Sequence, residues 1–109
     1  MKETFGMYIR NLRNERKMTL TQLAAKLDLD SANLSKIETG KREFDEKRLL
    51  KLAKALKIDK DLLINEFLSD LVAKRLYKIR DYNSILSLAE DKIKYYKSIK
   101  TQQGKLIFK

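Results

Sequence analysis

Residues 19–40 contain start and stop signals for two short helices that are separated by a three-residue turn. Thr19 is a favoured N-cap residue, and Gln22 three positions later completes a capping box. Asp30 can cap the second helix, and Gly40 follows at a position where helices commonly end on a left-handed residue. Between these signals apolar residues recur at spacings of three and four. The sequence therefore predicts a helix, a short turn and a second helix.

The remainder of the chain also favours helices. It has no proline and three glycines, whereas a β-rich fold of 109 residues would need many turns built from such residues. Periodic apolar residues predict a helix from about Thr4 to Arg16 and another after Asp45, which can act as its cap. We expect an all-α fold with a first domain over residues 1–68 and a helical extension over residues 69–109.

The C-terminal part of the chain has weaker signals. Asp59 or Asp61 opens a further helical stretch, and from Ser69 the helical pattern continues, either directly or after a break. A polar junction over residues 80–84 precedes a final helix, and residues from about Thr101 onward are expected to form a loose tail. The final helix carries an apolar stripe with alternating spacings of three and four, as in a helix–helix seam: Leu86, Ala89, Ile93 and Tyr96.

The net charge and the residue types of the chain limit the classes of function that it can have. The chain has 25 Lys and Arg residues against 15 Asp and Glu residues, a net charge of +10, which suits a polyanion such as nucleic acid. The alternative is that lysine-rich faces only keep the helices soluble. Because the chain has no Cys and no His, it has no thiol nucleophile, no imidazole base and none of the usual zinc ligands. No apolar run reaches the roughly 18–20 residues of a membrane span, and the N-terminus lacks the form of a signal peptide, so we expect a cytoplasmic protein.

Catalysis and cofactors are not expected. Four acidic residues could in principle bind Mg²⁺, but each is better placed as a cap or turn residue: Asp28, Asp30, Asp59 and Asp61. The sequence therefore predicts neither a catalytic site, nor a metal site, nor a cofactor.

The second helix of the 19–40 segment has two contrasting faces. At about 100° per residue, Leu34, Ile37 and Glu38 fall on one side. The other side carries small residues and one long cation, with Asn33 at the margin: Ser31, Ala32, Ser35, Lys36 and Thr39. Short side chains allow close approach in the DNA major groove, where a few donors can meet base edges. The alternative is an ordinary amphipathic surface helix.

The whole stretch over residues 5–58 resembles the Cro/C1-type helix-turn-helix family, also called XRE-like, which includes phage repressors. The similarity is carried by residues 18–24 (MTLTQLA), Leu27, residues 34–42 (LSKIETGKR) and residues 49–56 (LLKLAKAL), and it covers about half of the chain. The family often has a proline after the recognition helix, which residues 41–44 lack, and many members have a glutamine at the position of Leu20. The resemblance implies a five-helix, lambda-repressor-like domain whose third helix reads DNA.

The resemblance also implies roles for individual residues. Ser31, Ala32 and Lys36 would face base edges, and Ser35 and Thr39 would reach phosphate or a flanking base. Phosphate contacts would come from Thr19, Thr21 and Gln22 before and within the second helix, and from Lys41 and Arg42 after the third. With Asn33, these residues form the predicted DNA-binding set. Arg13 and Glu38 match positions that form an ion pair in the family, and we interpret them as structural; the alternative is two solvated charges.

The resulting hypothesis is a transcriptional regulator that binds a palindromic operator in double-stranded DNA as a homodimer. The dimer would be held by helix five and the C-terminal helices, because helix-turn-helix proteins usually occupy paired half-sites. A restriction–modification controller and a phage-type repressor both fit this description. The alternative is an antitoxin-type interaction module that masks a toxin and autoregulates its operon.

Overall fold

A computed structural model describes the backbone of residues 3–103 and the side chains of residues 3–99. Six α-helices and one 3₁₀ turn account for this range, and the described residues form no strand, which confirms the all-α class. The helices are α1 (Phe5–Glu15), α2 (Leu20–Lys26), α3 (Ser31–Glu38), α4 (Leu49–Leu56), α5 (Lys60–Leu76) and α6 (Tyr82–Gln103), and the 3₁₀ turn is Glu46–Arg48.

The helices form two compact units, one ending at Ala73 and the other beginning at Lys74. The first unit has a core to which α1 to α5 all contribute. Its fully enclosed side chains are aliphatic: Ile9, Leu23, Leu27, Leu34, Leu52, Leu56 and Leu63. Three aromatic rings belong to the same core. The centroid of the Phe5 ring lies 5.9 Å from that of Phe44 and 5.2 Å from that of Phe67. The second unit consists of the end of α5, a short connection and α6.

Local capping signals fix where several helices begin. Thr4 accepts a hydrogen bond from the Met7 N–H at 3.1 Å and starts α1. Asp59, one of the two candidates from the sequence, accepts from the Leu62 N–H at 3.1 Å at the start of α5. Asp45 accepts from the Lys47 N–H at 3.0 Å, but it caps the 3₁₀ turn that leads into α4, not α4 itself.

α5 runs unbroken through Ser69, where the sequence left a break open, because no proline or glycine interrupts it. The bounds predicted for the last helix were wrong at both ends. α6 begins at Tyr82, inside the stretch expected to be a polar junction, where the Ser84 hydroxyl donates to the Asp81 carboxylate at 2.8 Å. α6 also continues to Gln103, beyond the expected start of a tail at Thr101, and residues 104–109 of that tail lie outside the described range.

Gly6 sets the distance between α1 and α3. A Cβ atom at this position would lie 2.3 Å from the carbonyl oxygen of Ile37 and 2.8 Å from that of Glu38. Real Cβ atoms do not approach backbone that closely, so only glycine permits the observed packing of α1 on the end of α3. The position of α3 in the first unit thus depends on a residue 25 positions before its N-terminus.

Candidate nucleic-acid interface

The inner face of α3 holds the helix to the first unit. Leu34 is fully buried, and Ile37 and Glu38 are each 5% exposed. The Asp30 carboxylate caps the helix by accepting from the Asn33 N–H at 2.7 Å, and Gly40 follows it with a left-handed φ of 84°. Both ends of α3 are therefore fixed by the residues that the sequence indicates, and its inner face is fixed by burial.

The outer face of α3 is open to solvent. Ala32, Lys36 and Thr39 are exposed, and Ser31, Asn33 and Ser35 at its edges are half-buried. The Lys36 ammonium has no hydrogen bond or ion pair with any described residue, so its three donors remain available to a ligand. The Thr39 hydroxyl donates back to the carbonyl oxygens of Ser35 and Lys36 at 3.0 and 3.3 Å. In this conformation the Thr39 hydroxyl can accept a hydrogen bond from a ligand but cannot donate one, because its hydrogen already points to these carbonyl oxygens.

Asn33 and Arg42 form a contact that the sequence analysis missed. The Arg42 guanidinium donates through Nη1 to the Asn33 amide oxygen at 2.9 Å. The backbone N–H groups of Lys41 and Arg42 both donate to the Lys36 carbonyl oxygen, at 2.8 and 3.2 Å. The basic loop after α3 is thereby folded back onto the helix, and the Arg42 side chain is held beside its exposed face. The nine-residue separation gave no periodic signal from which to infer the contact.

The start of α2 presents a second set of donors. The Thr19 N–H donates to Gln22 Oε1 at 2.8 Å, and the Gln22 N–H donates to Thr19 Oγ1 at 3.0 Å, which is the capping box that the sequence predicts. These bonds occupy the side-chain oxygen of each residue. They leave the Thr19 hydroxyl hydrogen and the Gln22 amide NH₂ for other acceptors. Thr19, Thr21 and Gln22 are all exposed.

Arg13 and Glu38 are in direct contact. Arg13 Nε and Nη2 donate to the two Glu38 carboxylate oxygens at 2.8 and 3.0 Å, in a bidentate ion pair whose side chains are 12% and 4% exposed. Arg13 Nη1 donates in addition to the Met18 carbonyl oxygen at 2.9 Å, next to the start of α2. The hydrogen bonds to Glu38 raise the pKa of Arg13 above its ordinary value despite partial burial. One guanidinium therefore joins α1, α3 and the segment before α2.

Two further arginines bind the ends of helices, and neither contact was predicted from the sequence. Arg16 Nε donates to the carbonyl oxygen of Leu56, at the end of α4. Arg48 Nε donates to the carbonyl oxygen of Leu27 at 2.8 Å, at the end of α2, and its Nη1 pairs with Asp45. Carbonyl groups at helix C-termini lack partners within the helix, so a cation there is favourable. These side chains stabilise the scaffold on which α3 lies.

Three of the four acidic residues considered for Mg²⁺ have structural contacts. Asp30 and Asp59 are caps, and Lys51 beside Asp28 holds the pKa of that carboxyl below its usual value through a hydrogen bond and charge attraction. Over the described residues there is no group of three or more acidic side chains arranged to hold a metal ion. No helix in the described range combines the length and hydropathy needed to cross a membrane.

Comparisons with known proteins find similarity over about half of this chain. A family model described as helix-turn-helix matches residues 9–63. The HTH-type transcriptional repressor RghR of Bacillus subtilis (strain 168) is 47% identical over 57 residues, which are 51% of this chain and 42% of the relative. The uncharacterized HTH-type transcriptional regulator RghRB of the same organism is 46% identical over 55 residues, 50% of this chain and 40% of the relative. The chain thus matches about two fifths of the length of these curated relatives.

Solved structures are also similar to about half of this chain. The restriction-modification controller protein C.AhdI from Aeromonas hydrophila superposes with a TM-score of 0.50 at 34% identity, covering 54% of this chain and 89% of the controller. The P22 c2 repressor, solved in complex with a synthetic operator, superposes with a TM-score of 0.52 at 27% identity, covering 57% of this chain and 94% of the repressor. Both similarities cover little more than half of this chain.

Proposed function

The chain belongs to the Cro/C1-type helix-turn-helix family, and from that membership we propose that it is a transcriptional regulator that binds operator sequences in double-stranded DNA. The observation that carries the proposal is the outer face of α3, which is accessible while the inner face is anchored in the core. The relatives named as a transcriptional repressor and as a restriction-modification controller support this class of function.

Base recognition would come from the outer face of α3. The Lys36 ammonium has no partner among the described residues, and it suits the O6 and N7 acceptors of guanine in the major groove. Ala32 is short enough to bring the helix close and can contact a thymine methyl group. Ser31 lies beside them at the N-terminal end, where its hydroxyl can reach an adjacent base edge.

Phosphate contacts would fix the helix in the groove. Lys41 and Arg42 lie in the loop after α3, and the hydrogen bond that Arg42 donates to Asn33 holds its side chain in place before DNA arrives. On the other side, Thr19 and Gln22 offer the donors that their capping box leaves unused. Contacts of this kind set register and orientation, and they make binding depend on salt.

A second copy of the chain is part of the proposal. α5 is apolar on two sides: Leu63 and Phe67 face the core, whereas Leu62, Leu68 and Val72 are 57, 44 and 46% exposed. A helix that is apolar on both sides is normally covered on both sides. We infer that a two-fold dimer covers this outer face. To bind paired half-sites, such a dimer must hold its two α3 helices about 34 Å apart.

Selection from random DNA duplexes with the purified full-length protein tests the proposal. We expect a two-fold symmetric consensus whose half-sites are about one helical turn apart. In a second selection Lys36→Ala should weaken binding by about 1–3 kcal/mol and relax the preference at one base position in each half-site. Lys54→Ala is the matched control, because Lys54 is an exposed lysine on α4 outside the proposed interface.

Three results would overturn parts of this assignment. If the wild-type protein enriched no sequence, specific DNA recognition would be wrong. If Lys36→Ala bound more weakly but selected an unchanged consensus, Lys36 would contact phosphate and not a base. Equal effects of the Lys36 and Lys54 variants would instead indicate attraction by general charge.

A further inference from the structure

An open groove of about 280 Å³ lies between the end of α2 and the exposed side of α4. It is lined by three lysines and one small apolar residue: Lys26, Lys51, Lys54 and Ala55. Lys51, Lys54 and Ala55 are three and four positions apart, so they share one face of α4. Lys26 is the last residue of α2. We call these four residues the basic groove.

The cations of the basic groove are only partly neutralised. Lys51 donates to the Asp28 carboxylate, and both side chains of this pair are more than half exposed. The ammonium groups of Lys26 and Lys54 have no hydrogen bond or ion pair with any described residue. α4 contains no acidic residue, and like charges three positions apart on a helix repel each other. Three ammonium groups and one carboxylate leave two positive charges, so the basic groove suits an anion.

Neither this chain nor operator DNA supplies that anion. Residues 104–109 (GKLIFK), which lie outside the described range, carry two lysines and no acid, and a second copy has the same net charge of +10. The residues proposed to contact DNA lie on α3, in the loop after it and at the start of α2. Lys26 is at the opposite end of α2, about 10 Å from Thr19 along the helix axis. The occupant is therefore expected to be a different molecule.

We propose that the basic groove binds an acidic segment of another protein, in which carboxylate side chains flank aliphatic ones. The carboxylates pair with the ammonium groups of Lys26 and Lys54, which have no partner among the described residues. The aliphatic side chains lie on Ala55 and on the methylene stems of the lysines. A sugar–phosphate backbone has the right charge but no aliphatic group for this lining, which favours a peptide over a second nucleic-acid strand.

This interaction goes beyond the proposed function and does not require DNA. The basic groove shares no residue with the predicted DNA-binding set. We therefore expect the protein to hold the acidic segment and an operator at the same time.

Fluorescence anisotropy with a labelled hexapeptide of sequence EDLLED tests the proposal, at about 150 mM salt so that distant charges are screened. In the full-length protein, Lys26→Glu with Lys54→Glu should raise the Kd about tenfold or more, because two attractions become repulsions. Lys60→Glu with Lys92→Glu changes the net charge equally at exposed lysines outside the groove, and it should change the Kd less than about twofold.

Two further controls separate local binding from misfolding and from general charge. Lys26→Gln with Lys54→Gln removes the charges without adding repulsion, and it should raise the Kd about threefold. The neutral peptide QNLLNQ should not bind detectably. Equal effects of the two glutamate variants, equal binding of the two peptides, or no binding of EDLLED to the wild type would overturn the proposal.

Amide chemical shifts in ¹⁵N NMR spectra locate the bound peptide. EDLLED should shift the amides at the end of α2 and along α4, and it should leave those of α3 in place. Shifts confined to α3 and residues 41–42 would put the peptide on the DNA-binding surface, and the basic groove would then not be its site.

Operator DNA separates this proposal from the proposed function. The peptide should stay bound when the protein is saturated with a duplex obtained by selection, whereas its displacement would make the groove part of the DNA interface and contradict the proposal. Protein that binds the peptide but enriches no DNA sequence would retain the basic groove as a binding site and lose the proposed function.

Discussion

Replacement of Arg13 by methionine tests how α3 is held to the rest of the first unit. Arg13 makes two hydrogen bonds to Glu38 and a third to the Met18 carbonyl group. Methionine keeps most of the length and apolar volume of the arginine side chain but removes its charge and its donors. The Glu38 carboxylate would then be left buried, with 4% of its side chain exposed and no cation beside it.

The expected loss of stability follows from that burial. Removing one partner of a buried ion pair costs about 3–5 kcal/mol, because the remaining charge is uncompensated. Arg13 keeps 12% of its side chain exposed, so water can partly replace it, and we expect about 3 kcal/mol. For a domain of this size, each kcal/mol lowers the melting temperature by roughly 4–8 °C. The variant should therefore melt about 12–24 °C below the wild type.

Urea and thermal unfolding of the full-length protein, followed by far-ultraviolet circular dichroism, measure this loss. Adding Glu38→Gln to Arg13→Met should restore much of the stability, because no buried charge remains. Lys51→Met removes the exposed Lys51–Asp28 pair and is the control, for which we expect little change. A loss below about 1 kcal/mol for Arg13→Met, or no recovery in the double variant, would refute the view that the pair holds α3.

Three further substitutions test the fold and the interface. Gly6→Ala should destabilise the protein by about 1–3 kcal/mol through collision with the α3 backbone. Gly40→Ala should cost less, because its added Cβ meets open space and carries only the strain of a left-handed φ; equal losses would contradict this. Asn33→Ala should weaken operator binding about fivefold but add nothing to Arg42→Ala, whereas additive losses in binding titrations would mean the two residues act separately. Lys41→Ala should weaken binding to all sequences and lower the salt slope by about one, and a sequence-dependent loss would contradict a phosphate contact.

The sequence predicted those parts of the interface that depend on local interactions. The capping box of Thr19 and Gln22, the Asp30 cap and the left-handed Gly40 all involve residues within four positions of one another. Such contacts form almost independently of the rest of the fold, so residue type and spacing are enough to identify them. The two faces of α3 followed from the same helical geometry.

The contacts that place α3 in the fold could not be predicted in this way. Gly6 matters only because α1 meets the end of α3, and a glycine within a helix has no sequence signature of close approach. The bonds from Arg16 to Leu56 and from Arg48 to Leu27 join residues 40 and 21 positions apart. Arg13 and Glu38 were identified through resemblance to a family, not through their separation of 25 residues.

The pattern of apolar residues could not decide whether α5 is one helix or two. Apolar residues change phase along this helix, because Leu63 and Phe67 face the core whereas Leu62, Leu68 and Val72 lie on the opposite side. A helix with one buried face keeps a single phase, so a change of phase fits either two helices or one helix with two apolar faces. The structure shows one unbroken helix, and its apolar outer face is the surface on which we propose a second copy.

The net charge of +10 is a weak guide to the DNA-binding surface, although it first suggested a polyanion. Arg13, Arg16 and Arg48 all use their guanidinium groups within the fold, on Glu38 or on backbone carbonyl groups. Cations that are already bound in this way release few counterions when DNA arrives. The salt dependence of operator binding should therefore follow the exposed cations on and after α3, and a slope close to the full net charge would mean that the basic helices outside the first unit also lie on DNA.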